Sequence, residues 1–572
     1  MKQTDAKTAP TAENERPDAR IERAYAREAA AGDNPVWIHR VPKAEALRRA
    51  RELPAPAPGL PLRGMPFAVK DNIDVAGMPT TAACPAYAYQ PERSATAVQK
   101  LLDAGAICVG KTNLDQFATG LSGMRSPHGD CRNAFNADYI SGGSSSGSAL
   151  AVALGMAEFA LGTDTAGSGR VPAAFNNLVG LKPTRGLVST AGVVPACRTL
   201  DCVSILARTC AQALSVLEVM QGYDAADPYS RQGNSVCLEN KTLKVAVPGK
   251  LEFYGDSEYA RRFAQALERL GGERLPVDFA PFLAAQQLLY DGPWLAERTA
   301  QMQSFMEQHA SDMHPVVREV IAGGRRYSAV DAFRAQYRLA ELRRETEAVW
   351  DRADILVVPG APTIYTRTEM TADPVALNAR LGLYTNFVNL LDLAAITVPA
   401  GFRADGLPFG ITLIGPAFSD RALAALAARF LGEPEIAVAG NAVRVAVVGA
   451  HLSGMAFNGQ LTERRAKLVR AARTSPDYKL YDLADGRPGL VRAKSGDGHG
   501  ACIEVEVWEM SAAGFGSFVA QIPPPLGIGT LELEDGEKVK GFVCEAYAVA
   551  GKKDITAFGG WRRFVNADLN SQ

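Results

Sequence analysis

From residue 18 to about residue 430 the chain alternates stretches of helical spacing with short apolar runs, and near residues 434–443 that alternation stops. "ARIERAYAREAAAG" and "PKAEALRRARELP" carry helical spacing and end in Gly32 and Pro54. "GMPFAVKDNIDV" then reads as a strand entering a turn, "SATAVQKLLDAGAICVGKTNL" as helix followed by strand, and "SALAVALGMA" with "FALGTDT" as the same order again. A long amphipathic segment from Ser328 feeds the apolar run "ADILVVPG", and "DRALAALAARFLGE" closes the series. Such alternation predicts an α/β fold with helices covering a sheet. Beyond residue 443, "VRVAVVGAH", "ACIEVEVWEM", "TLELEDG" and "KVKGFVCEAYAV" are short strands separated by turn residues, which predicts a second, mostly β domain. With 572 residues the chain is too long for one core. The expected organisation is a disordered tail over 1–17, an α/β domain over 18–435 and a β-rich domain over 443–572.

Several function classes drop out on composition. A net charge of −1 with 22% charged residues offers no electrostatic footprint for nucleic acid or an anionic membrane. The longest apolar runs break well short of the ~20 residues that span a bilayer, and the polar N-terminus lacks the apolar core of a secretory signal. A cytoplasmic protein is the expectation. The nine cysteines contain no C-x-x-C and the six histidines no H-E-x-x-H spacing, so neither a disulfide framework nor a catalytic metal is expected. "VAVVGAHLSG" is one glycine short of a dinucleotide fingerprint, and no cofactor is expected.

The residues from Ser141 to Ala174 crowd six serines and seven glycines around the apolar segment "ALAVALGMAEFAL". A flexible linker is one reading. The apolar centre favours burial, and buried glycines on both sides of it suggest tight loops around something small. A hydrolase without metal or histidine still needs a nucleophile, a base and an oxyanion hole, and a desolvated lysine can take a serine proton. Lys70 in "FAVKDN" is placed for this, because an apolar strand carries it inward; a strand-end lysine with its head in water is the competing reading.

Three ordered stretches, "AVKDNIDVAGMPTTAACPAY", "GGSSSGSA" and "GTDTAGSGRVPAA", resemble the amidase signature family over roughly residues 25–430. That resemblance implies Ser168 as nucleophile, Lys70 as base and Ser144 as bridging serine, with a cis peptide at Gly143–Ser144. It further implies an oxyanion hole from the backbone N–H groups of Thr165, Ala166, Gly167 and Ser168. Ala166 and Gly169 depart from the family's usual glycine and isoleucine, and the smaller Gly169 is expected to enlarge or reshape the acyl pocket. Ser141, Ser145, Ser146 and Ser148 are expected as loop and cap hydroxyls, and Asp164 and Arg170 as braces.

Within the family, "TTAACPAYAY", "LLYDGPWLAER" and the C-terminal "IPPPLGIGTLELEDG" resemble the allophanate hydrolase branch. The resemblance implies release of ammonia from the terminal amide of allophanate, a small carboxylated urea, leaving N-carboxycarbamate that goes on to CO2 and ammonia. A carboxylate calls for a forked donor, and Arg298 with Tyr290 matches the family's substrate contacts, Gly120 being a further backbone candidate. Pro293 between Tyr290 and Arg298 argues against one continuous helix. An ordinary helix-surface arginine is the other reading of Arg298. The C-terminal domain resembles the γ-glutamyl-cyclotransferase-like β fold, with "FNGQL" at its Y-G-x-L loop, and the resemblance links it to the fate of N-carboxycarbamate; His499 in "SGDGHG" is the candidate residue there, with a solvated loop histidine as the other reading. The implied partners are the small-molecule substrate, a separate biotin-dependent urea carboxylase that supplies it, and a second copy in a homodimer. An amidotransferase A-type subunit, a general small-amide amidase and a catalytically idle scaffold stay open as alternatives.

Overall fold

The computed structural model describes residues 15–28, 32–55, 59–233, 235–236, 242–436, 442–464, 466–484, 486–493 and 500–569. Residues 1–14 of the expected tail fall outside them, and so does His499. The chain divides into two compact units, Met1–Val438 and Ala439–Gln572.

The first unit is built on a mixed sheet of eleven strands. In chain order they are β1 (Trp37–Arg40), β2 (Pro66–Lys70), β3 (Ile107–Thr112), β4 (Phe159–Asp164), β5 (Val179–Lys182), β6 (Cys202–Ala207), β7 (Lys244–Pro248), β8 (Glu273–Val277), β9 (Ile355–Pro359), β10 (Leu393–Phe402) and β11 (Pro408–Pro416). Across the sheet the order is β1-β3-β2-β4-β6-β5-β10-β11-β9-β7-β8. β2 runs parallel to both β3 and β4, while β10 and β11 form an antiparallel hairpin at the centre. Strand alternation divides the core between the two faces. Ile355, Val357, Ala394 and Ile396 pack into one apolar cluster, and their neighbours Leu356, Val358, Leu393 and Ala395 into another. Both faces are covered by helices, which is why the strands read as near-continuous apolar runs.

The helices follow the residues that favour them. Ser328 and Asp331 form a reciprocal capping box that opens the long Ala329–Glu347 helix, which then feeds β9. The Ala280–Tyr290 helix stops at Tyr290, and Pro293 caps the separate Trp294–His309 helix, as the proline requires.

The second unit holds a five-stranded and a three-stranded sheet. Its strands are β12 (Ala442–Val447), β13 (Lys467–Arg473), β14 (Tyr478–Asp482), β15 (Pro488–Arg492), β16 (Glu504–Ser511), β17 (Leu526–Glu532), β18 (Lys538–Cys544) and β19 (Lys553–Asp554). It has its own core, including Val445, Leu480, Val507, Phe518, Leu531 and Trp561.

Candidate active site

β2 and β4 are neighbours and parallel, so their C-terminal ends open on the same edge of the sheet, where α/β folds gather their binding loops. Lys70 is the last residue of β2 and fully buried behind Phe67, Ala68 and Val69. Its Nζ donates to Ser144 Oγ at 2.7 Å and to Thr163 Oγ1, on β4, at 2.8 Å. Burial pushes the amine down to about 7, although the carboxylates of Asp115, Asp164 and Asp201 pull it the other way. A lysine with its head in water is thereby ruled out. Ser144 follows a cis peptide at Gly143–Ser144 and is itself buried.

The Gly/Ser loop is bolted to the sheet rather than left loose. Ser145 Oγ donates to the Thr163 carbonyl at 3.2 Å, and Ser148 Oγ to that of Leu161 at 2.9 Å. The Ser146–Ala153 helix carries no side-chain cap, so these hydroxyls act as ties to β4 and not as caps. The Ser145 N–H donates to the Ser168 carbonyl at 3.2 Å, which sets the loop of Ser144 against that of Ser168. Ser168 Oγ makes no hydrogen bond among the described residues, so the Lys70–Ser144 link is formed and the Ser144–Ser168 link is not.

After β4 the chain wraps around one carboxylate. Asp164 accepts two hydrogen bonds from the Arg170 guanidinium, both at 2.9 Å, and the N–H groups of Gly167 (2.8 Å) and Gly169 (3.1 Å). Burial opposes its ionisation, yet the Arg170 pair and these donors hold its carboxyl below the usual range. Two expectations change here. The Gly167 N–H is spent on Asp164 and does not belong to a free oxyanion hole; its φ of +127° and the Thr385 hydroxyl behind it explain why glycine stands there. Those of Thr165, Ala166 and Ser168 have no partner among the described residues and stay available. Gly169 does not enlarge a pocket either, because a Cβ there would run into the side chain of Ser204.

The carboxylate-binding candidates come together from three segments. Arg298 is 1% exposed, donates from Nη1 to Thr119 Oγ1 at 3.0 Å and from Nη2 to Tyr290 Oη at 3.4 Å, and lies 5.3 Å from the Tyr290 ring centre. It is therefore no surface arginine. Gly120 adjoins Thr119, and a Cβ on it would come within 2.5 Å of Asp115 Oδ2. The next residue, Leu121, accepts the Gly143 N–H at 2.8 Å, and the Asp115 N–H donates to the Ser144 carbonyl at 3.2 Å. The Thr119–Leu121 loop thus joins Arg298 to the loop of Ser144.

Sequence reasoning missed Thr163, Thr119 and Asp201. Asp201 is raised to about 6 by burial, accepts from the Thr165 hydroxyl beside the candidate oxyanion donors, and accepts the Ala196 N–H at 2.9 Å. Thr163 lay inside the "GTD" motif; Asp201 and Thr119 carried no local signal. In the second unit the described histidine is His451, whose Nε2 lies 3.1 Å from Gln460 Oε1 and whose ring stacks on Phe542 at 5.1 Å. Asn458 Nδ2 donates to the His451 carbonyl at 2.9 Å, so the "FNGQL" loop supplies both polar partners.

The Amidase family matches residues 20–424 and the allophanate hydrolase C-terminal domain residues 443–566. Allophanate hydrolase from Kluyveromyces lactis has a solved structure that is 42% identical, with a TM-score of 0.80 over 97% of each chain. Urea amidolyase from Lachancea kluyveri is 43% identical over 94% of this chain and 31% of its own length. The chain therefore spans about a third of the curated urea amidolyases it matches. The A-type subunit of the glutamyl-tRNA(Gln) amidotransferase from Symbiobacterium thermophilum is 38% identical over 67% of this chain and 84% of its own.

Proposed function

Because the chain belongs to the amidase family and ends in an allophanate hydrolase C-terminal domain, we propose that it hydrolyses the terminal amide of allophanate. The observation that carries the substrate assignment is Arg298, a buried guanidinium without a carboxylate partner among the described residues, tied through the Thr119–Leu121 loop to Ser144. Ser168 Oγ attacks the amide carbonyl, and its proton passes to Ser144 while Ser144 gives its own to the neutral Lys70 amine. The alkoxide meets the N–H groups of Thr165, Ala166 and Ser168. Proton return to the leaving nitrogen releases ammonia and leaves a carbamoyl ester on Ser168, which water cleaves to N-carboxycarbamate. Arg298, Tyr290 and Gly120 hold the distal carboxylate end throughout.

The second unit acts on that product. Breaking one C–N bond of N-carboxycarbamate yields CO2 and carbamate once the nitrogen takes a proton, and carbamate decays to ammonia and CO2. His499, outside the described residues, stays a candidate for this step, and His451 is a second one, since burial pushes its imidazole below the ordinary range and Gln460 fixes one ring nitrogen. The reading includes a cytoplasmic homodimer fed by a separate biotin-dependent urea carboxylase. Ammonia release from allophanate, malonamate, biuret and urea is the direct test. Turnover of allophanate and malonamate with none of urea, which lacks the carboxylate, is expected; an inactive enzyme on allophanate defeats the assignment.

A further inference from the structure

Four arginines of the described chain are buried: Arg20, Arg125, Arg170 and Arg298. Two of them are matched by acids, Arg20 to Glu158 at 3.1 Å and Arg170 to Asp164 at 2.9 Å. Arg125 and Arg298 have no carboxylate within ion-pair distance among the described residues, and both converge on one residue. Arg298 Nη1 donates to Thr119 Oγ1 and Arg125 Nη1 to the Thr119 carbonyl, each at 3.0 Å. Arg125 Nη2 is held by the Pro374 carbonyl at 2.6 Å, while Arg298 Nε is buried without any partner. Burial pushes the Arg125 guanidinium below its ordinary range, the Asp115 carboxylate opposes this, and the Arg298 charge adds a smaller push downward.

The acids in the neighbourhood, Asp115, Asp201 and Glu297, favour the two charges from beyond ion-pair distance but hydrogen-bond to other groups. Asp115 accepts the backbone N–H groups of Gly123 (3.1 Å) and Arg125 (2.9 Å). Asp201 accepts from Thr165, Ala196 and Cys197, and Glu297 from the N–H and hydroxyl of Thr199, both at 2.7 Å. A buried cation without a paired anion is costly, and two beside each other more so. A fold that keeps both on the loop tied to Ser144 leaves two guanidiniums that a ligand carboxylate can pair.

We propose that Arg125 is a specificity-determining positioning residue, which fixes Thr119 against Arg298 and adds a second positive charge, not paired by any carboxylate among the described residues, that selects amide substrates carrying a carboxylate. The proposal rests on the allophanate reading and deepens it: Arg298 grips the carboxylate, and Arg125 sets how strongly charge counts. It also implies that N-carboxycarbamate, a dianion, is held more tightly than the substrate anion.

Arg125→Gln and Arg125→Lys are made in the full chain, alone and with Ser168→Ala. In the Ser168→Ala background, calorimetry measures binding of malonamate, an anion, and malonamide, its neutral counterpart. Arg125→Gln is expected to weaken malonamate roughly tenfold or more, by analogy with truncated interface charges. Arg125→Lys, which keeps the cation, recovers most of that loss, and malonamide binding stays level across the series. In turnover the loss falls on KM for allophanate rather than kcat. Equal losses for malonamate and malonamide, or a lysine variant as weak as glutamine, would overturn the proposal as a packing effect. If the glutamine variant does not fold, the unaltered chain still decides: malonate dianion must compete better than malonamate, and equal or weaker competition refutes the second charge. A wild-type enzyme that fails to cleave allophanate sinks the functional reading, whereas one that cleaves it without charge selection at Arg125 sinks only this inference.

Discussion

Burial brings the Lys70 amine to about 7, well below its ordinary 10.5. The base is therefore largely neutral at mildly alkaline pH, and kcat/KM is expected to climb through about 7 and then level off; a profile flat from 6 to 9 contradicts Lys70 as the base. The same depression costs stability. Between about 7 and 10.5 the unfolded chain binds more protons at this group than the folded one, so its contribution improves as pH rises and the penalty is complete below about 7. Lys70→Met is expected to abolish turnover yet stabilise the fold by a few kcal/mol, at most roughly 5 before the lost bonds to Ser144 and Thr163 are counted. Urea unfolding at pH 6 and pH 10 checks it, since the gain must be larger at pH 6. Ser168→Ala and Ser144→Ala are expected to lose amide hydrolysis with melting curves near wild type; near-normal activity in Ser168→Ala would remove it as nucleophile. Arg298→Ala leaves the substrate carboxylate unpaired, at about 2–5 kcal/mol in kcat/KM for allophanate.

At the scale of elements, the turn between β4 and the Arg170–Phe175 helix is shaped by the Asp164–Arg170 pair. Asp164 aligns Gly167 and Gly169 through their N–H groups, and Thr385 Oγ1 donates to the Ala166 carbonyl at 2.7 Å from the other side. With its carbonyl turned to Thr385 and its neighbour's N–H to Asp164, the Ala166 peptide has little freedom left. Asp164→Asn keeps the shape but strands the Arg170 charge, and removing one partner of a buried pair typically costs about 3–5 kcal/mol. Denaturant midpoints measure that loss, and kcat is expected to fall with it, because donors of an oxyanion work only when already in place. A stable Asn variant with wild-type kcat means the pair is not what orders the turn.

The whole molecule consists of two units, each with its own core, and all residues assigned to amide cleavage lie in the first. A fragment of residues 1–438 is accordingly expected to fold and to release ammonia from allophanate. Carbon NMR of the products then separates the roles: the fragment leaves N-carboxycarbamate to decay unaided, and full-length His451→Ala does the same while its first cleavage is normal. Equal decarboxylation in fragment, variant and wild type leaves the second unit without a chemical part.

What the sequence determined by itself was whatever is encoded locally. Helix–strand alternation announced the helix-covered sheet and its replacement by short strands, because periodicity reports which side of each element is buried. Lys70, Ser144 and Ser168 were reachable because each stands in a contiguous motif that resembles the amidase signature family's. Tertiary structure decided the rest. The Gly167 N–H was lost to the oxyanion site by the position of the Asp164 carboxylate, and Ser204 filled the space that the small Gly169 was expected to open. Thr119, Arg125 and Asp201 stand outside the motifs that carry the resemblance, and Arg298, though picked out with Tyr290, comes from a segment far from Arg125 in the chain. Their joint charge exists only after the Trp294–His309 helix packs its arginine against the loop before Arg125. Burial then makes that charge matter, since a guanidinium in water would be screened and one inside the fold is not.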